Sequence, residues 1–177
     1  KEAKSGGYTY KYVTNDPTQA RFYTLKNGLT VILSPTKKDP RIQAYVATKA
    51  GSKTDPATNT GLAHYLEHML FKGTENRGAG DIARQVQDEG GYINAYTSFD
   101  RTVYWIDAPS SGTKAALDIL ADAMMNSTLP EDEYVKEQEV IRREFAMGFD
   151  DPNRQSIQLL LQTIYTESPW RHPIIGY

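Results

Sequence analysis

An α+β domain, with an antiparallel sheet packed against helices, is the fold class this sequence predicts. Paired β-rich runs joined by turn residues are one reason. The other is a set of helical segments that collects after the strands instead of alternating with them. The 177 residues are enough for one core, and no internal repeat or low-complexity segment interrupts the order.

Residues 1–20 are polar, carry the turn-forming Asn15-Asp16-Pro17, and read as an N-terminal arm ahead of a domain spanning 21–177. Residues 22–25 and 29–33 flank Lys26-Asn27-Gly28, a hairpin signal. Residues 42–49 alternate and make a third strand. A loop over 50–60 ends at Thr60, an N-cap candidate for a short helix over 62–71 that Lys72-Gly73 closes. A second helix, 81–89, stops at Gly90-Gly91. The runs 92–98 and 102–108 form a second hairpin about Phe99-Asp100-Arg101. Residues 110–126 are helical, with Ala115, Ile119, Leu120 and Ala123 on one side. Pro130 sits in the first turn of a long helix reaching about Phe149, and 154–165 form the last one.

Composition removes several function classes. With no cysteine there are no disulfides, thiolate metal sites or cysteine nucleophiles. Twenty Lys and Arg against 22 Asp and Glu leave a net charge of −2, without the basic footprint of a nucleic-acid binder. The longest charge-free run, the twelve residues 155–166, is too short for a membrane span of about 20 apolar residues. Lys1 opens the chain without a signal-peptide core, as in an exported, periplasmic bacterial protein after processing or at an artificial boundary. The apolar ending Pro173-Ile174-Ile175-Gly176-Tyr177 reads as a cut in a longer chain.

The chemistry concentrates in His64-Tyr65-Leu66-Glu67-His68. Two of the three histidines stand four apart, so on a helix both imidazoles share one face and reach one cation. Glu67 lies three after His64, its carboxylate toward the same face. Zinc takes imidazole nitrogen and carboxylate oxygen, and a catalytic zinc keeps three protein ligands and one open position. Glu67 suits the general base that takes a proton from water at the metal, and His-x-x-Glu-His is an inverzincin order. A third ligand must come from elsewhere. The long helix has an apolar stripe through Tyr134, Ile141, Phe145 and Phe149, and Glu137 and Glu144 fall within about 20° of each other on its border. Glu131 and Glu139 point elsewhere, and Glu133 further toward solvent. The helical wheel does not choose between Glu137 and Glu144.

The run Gly61-Leu62-Ala63-His64-Tyr65-Leu66-Glu67-His68-Met69-Leu70-Phe71-Lys72-Gly73-Thr74 resembles the signature of the insulinase/pitrilysin zinc metallopeptidases. That family includes the mitochondrial processing peptidase and bacterial zinc proteases. Leu25-Lys26-Asn27-Gly28-Leu29, Asn94-Ala95-Tyr96-Thr97 and Glu137-Gln138-Glu139-Val140-Ile141-Arg142-Arg143-Glu144 resemble further blocks of it, in the family's order. The resemblance implies zinc held by His64, His68 and Glu144, the last of these 76 positions beyond His68. It implies Glu67 as general base and Glu137 as a supporting acid. It implies that the strand with Asn94, Ala95, Tyr96 and Thr97 takes an extended polypeptide substrate by main-chain pairing.

Family units are much longer, and a second half of similar fold closes over the substrate. The expectation is therefore a metalloendopeptidase domain truncated at the C-terminus, completed by its missing half or a homologous partner subunit, with self-association of the exposed apolar surface. Two rivals stand beside it. One is a non-catalytic core subunit of the same family. The other is a structural zinc site with His172 as a fourth ligand.

Overall fold

The computed structural model describes residues 1–177, which form two compact units, Lys1–Pro40 and Arg41–Tyr177. In the first, β1 (Glu2–Ser5), β2 (Tyr8–Tyr12), β3 (Arg21–Thr24) and β4 (Thr30–Leu33) make an antiparallel meander in sequence order. The expected hairpin about Lys26-Asn27-Gly28 is the β3–β4 pair, with Phe22 opposite Ile32. The expected arm is instead half of this sheet: Glu2–Ser5 pairs with residues 8–11, and Tyr10 lies opposite Tyr23 on β3. Gly6 and Gly7, at φ 55° and 82°, supply the two positive-φ positions of a tight hairpin turn. Tyr10 then packs its ring 5.2 Å from that of Tyr23, a contact that overall polarity conceals.

In the second unit β5 (Arg41–Thr48), β6 (Tyr92–Thr97) and β7 (Thr102–Pro109) form an antiparallel sheet in the order β5-β7-β6. Central β7 is buried along most of its length, while β6 is an edge. Helices α1 (Leu62–Met69), α2 (Asp81–Asp88) and α3 (Thr113–Asn126) pack on the sheet. Ile82, Val86, Ile106, Ile119 and Leu120 are the centre of the core, with Ala95 of β6 against its border. Two further helices follow, α4 (Glu131–Phe149) against α1, and α5 (Pro152–Ile164) against α4. No helix is long and apolar enough to cross a membrane.

Three helix starts differ from expectation. Pro130 caps α4 one residue before its first helical position. A 3-10 turn over Ser110–Gly112 precedes α3. Gly61, not Thr60, begins α1 at φ 87°. A Cβ there would lie 2.3 Å from the Ile175 carbonyl oxygen, so only glycine fits. The Asp55 carboxylate does the capping, accepting hydrogen bonds from the N–H of Gly61 at 2.8 Å and of Ala63 at 2.9 Å. Thr60 instead accepts the Tyr177 N–H at 3.1 Å.

After α1 the chain is tied to α3. Asp122, 5% exposed, accepts from Thr74 and Asn76 at 2.6 Å each and from Asn126 at 2.7 Å, and pairs with Arg77. Arg77 also reaches Asp118 and Gln85. Burial pushes the Asp122 carboxyl up, but these donors outweigh it and hold it well below the carboxylate range.

Candidate metal centre

Helix α1 carries His64, Glu67 and His68, and α4 carries Glu137 and Glu144. Tyr65 fixes the crossing, its ring 4.7 Å from that of Tyr134 and its hydroxyl donating to the Tyr134 carbonyl. The face of α4 turned to α1 is its acidic one. Glu137 is the one buried residue of the helix, while Phe145 and Phe149 of the apolar stripe stay 41% and 64% exposed. Glu133, expected further toward solvent, keeps only 14% of its side chain exposed, beside Lys136.

His64, His68 and Glu144 bring one donor atom each within 4.8 Å of one another. Glu144 Oε2 lies 3.8 Å from His64 Nε2 and 3.6 Å from His68 Nε2. Both separations exceed a hydrogen bond. Donors held 2.0–2.1 Å from a tetrahedral zinc stand about 3.4 Å apart, so the spacing fits an ion between them. Burial lowers the His64 pKa, Glu144 opposing it and His68 reinforcing it, so the ring is held in the neutral form that ligates. The other ring nitrogen of His64, Nδ1, is buried without a hydrogen-bond partner.

Glu137 approaches the same group from behind. It is 6% exposed, and its Oε2 accepts from His68 Nδ1 at 2.9 Å. Because an ionised carboxylate only accepts, His68 carries its proton on Nδ1 and turns Nε2 toward Glu144. Burial raises the Glu137 carboxyl, and hydrogen bonds from Lys72 and His68 outweigh it to hold the group below its usual range. The two acids that the wheel leaves equivalent thus separate: Glu144 joins the imidazoles, and Glu137 orients one of them.

Glu67 faces β6, where the Thr97 hydroxyl donates to its Oε2. Along the strand Asn94 and Tyr96 point outward, whereas Ala95 packs on the border of the core and Thr97 reaches Glu67. Asn94 donates to the Tyr92 hydroxyl at 2.6 Å, and its Oδ1 accepts the Ala95 N–H at 2.8 Å. His172 stands outside the donor group, its Nδ1 3.0 Å from the Pro173 carbonyl oxygen. The fourth protein ligand of a structural site is therefore not supplied by His172.

Two imidazoles and a carboxylate around an open position, with a further carboxylate beside them, define the donor set of a zinc hydrolase. The family model "Insulinase (Peptidase family M16)" matches residues 30–176, and the chain belongs to that family. An uncharacterized zinc protease of Rickettsia felis is 38% identical over 152 residues, covering 86% of this chain and 37% of its own length. A probable mitochondrial-processing peptidase subunit beta of Arabidopsis thaliana is 32% identical over 168 residues, covering 95% of this chain and 32% of its own. The solved structure of a protease from Helicobacter pylori superimposes with a TM-score of 0.86 at 33% identity, over 90% of this chain and 39% of that one. The chain thus spans 32–39% of the length of these relatives. Zinc is the metal named for the Rickettsia relative, and His64, His68 and Glu144 are the group positioned to take it.

Proposed function

We propose that this chain is the zinc-bearing part of a metalloendopeptidase that cleaves extended polypeptides. The observation that carries the reading is the convergence of three protein donors, and only three, beside a carboxylate anchored on an open sheet edge. His64, His68 and Glu144 would hold the metal, which when bound polarises a peptide carbonyl and acidifies water. Glu67 takes the proton of the attacking water and passes it to the departing amine, with the Thr97 hydroxyl holding the carboxylate at the strand. The edge of β6 offers its main chain to the substrate, which adds as a further strand and takes over the Ala95 N–H from the Asn94 side chain. Asn94 and Tyr96, which face outward, border that path.

A second half of the family unit, on the same polypeptide or as a partner subunit, completes the enzyme by closing over the edge. Positioning of substrate contributes about 7–11 kcal/mol to a reaction of this kind. The chain alone is accordingly expected to turn over an unstructured peptide orders of magnitude more slowly than the assembly with that second half, at matched zinc. Equal rates would refute the two-half account.

Glu67→Gln in the active assembly tests the chemistry. The amide keeps the shape and the Thr97 contact but cannot take a proton. Zinc content should be retained while hydrolysis falls by about 10²–10⁴. Undiminished turnover would remove Glu67 from the role.

A further inference from the structure

Lys72 lies just beyond α1, four residues after His68, and its ammonium is paired with Glu137 Oε1. The other oxygen of the same carboxylate accepts from His68 Nδ1 at 2.9 Å. A carboxylate this buried is costly unless both oxygens are met, and here one is met by a cation and the other by the imidazole. The cations of α4 are engaged elsewhere, with Lys136 on Asp132 and Glu133, Arg142 on the Glu139 carboxylate and Arg143 on the Glu139 carbonyl.

The backbone under Lys72 is also held. Its N–H donates to the Met69 carbonyl at 3.0 Å, closing the last turn of α1. The carbonyl of Gly73 accepts the Thr128 N–H at 3.2 Å, just before α4 begins. The ammonium is therefore delivered from a fixed backbone, on a side chain 31% exposed.

We propose that Lys72 is a positioning residue of the metal centre. It pins the Glu137 carboxylate, which in turn sets the ring orientation and tautomer of His68 and presents Nε2 to the metal. The inference rests on His64, His68 and Glu144 being the zinc ligands. Lys72 lies outside the donor group and meets Glu137, so its effect passes through that carboxylate.

The test is metal binding by the chain itself, read by competition with a chromophoric chelator for zinc and by the visible absorption of the cobalt(II) form. Lys72→Met should weaken zinc about tenfold and change the cobalt spectrum, while Lys72→Arg, which restores a cationic donor, should return affinity to within about twofold. Glu137→Gln should weaken zinc by about 10–100-fold, and Lys72→Met added to it should cost nothing more. Lys72→Gln gives the same readout if the methionine variant does not fold, with circular dichroism of the metal-free forms as the check. Wild-type affinity and spectrum in Lys72→Met, or an undiminished effect of Lys72→Met on top of Glu137→Gln, would overturn the proposal while leaving the zinc reading intact. A wild-type chain that takes up neither metal would overturn both.

Discussion

Two clusters of charge flank the loop that follows α1, and they are built on opposite plans. At Asp122 the network closes on itself: Thr74, Asn76, Arg77 and Asn126 all donate to one buried carboxylate. At His64, His68 and Glu144 it stays open, with Glu144 3.6–3.8 Å from the two imidazole nitrogens, all three donor atoms within 4.8 Å, and no bond among them. Buried charge that satisfies itself holds a fold. Donors that converge without satisfying each other are built for something placed between them. Lys72 and Glu137 stand at the border, closing the rear of the open cluster just as Arg77 closes the other.

Breaking the open cluster should cost metal and little stability. Glu144→Gln removes its one anionic donor, from a side chain 43% exposed that makes no structural hydrogen bond. Zinc affinity should fall by at least about a hundredfold, beyond what an orienting residue costs. The melting temperature measured in chelator should stay within about 1–2 °C of wild type. A large drop there would mean that Glu144 serves the fold and that the two clusters differ less than their geometry suggests.

The closed cluster should respond the other way round. Asp122→Ala strands Arg77 and three neutral donors, and should cost about 2–4 kcal/mol, a fall of roughly 5–15 °C in a domain of this size. The folded chain should still bind zinc. The milder Asp122→Asn sharpens the point through pH. Asp122 titrates lower when folded than when unfolded, so its contribution is present above the unfolded carboxylate range near pH 4 and is lost as pH falls below it. The stability gap between wild type and Asp122→Asn should be widest near neutrality and shrink on acidification past pH 4. A constant gap would mean that charge is not what the network uses.

These contrasts also mark what the sequence could reveal. His64, Glu67 and His68 were legible because they lie within one helical turn, where spacing alone sets direction. Both hairpins of residues 21–108 were legible from turn residues and alternation. The first hairpin was not, because a Gly-Gly turn inside a polar stretch looks like an arm until Tyr10 meets Tyr23. Glu137 and Glu144 share an azimuth on α4 but stand seven residues, about 10 Å, apart along it. A wheel records the angle and not the depth, and depth decides which side of His68 each acid meets. Only the family resemblance separated them. Thr97 on Glu67, Lys72 on Glu137 and Asp55 on α1 are contacts between separate elements, which periodicity does not register.

The last contrast lies within α1, whose two ends are held differently. Its C-terminal end, with His68, is fixed through side chains to α4. Its N-terminal end, with His64, depends on Asp55, which lies six residues before Gly61 and takes two of the helix's unpaired N–H groups. Asp55→Ala should cost about 1 kcal/mol, the usual loss of an N-cap, and lower the melting temperature by roughly 2–4 °C. Asp55→Asn, which keeps one acceptor oxygen, should lose less. Zinc affinity should change by no more than about twofold, because the His64 ring is already packed to 12% exposure. The chelator melt and the zinc competition together separate the possibilities. A stability loss near 3 kcal/mol would assign Asp55 the loop before α1 as well as its cap. An unchanged melt would mean that the close approach of Gly61 to the Ile175 carbonyl suffices to fix the helix start. A tenfold loss of zinc with a small loss of stability would show that His64, lacking a partner of its own like Glu137, takes its position from the cap.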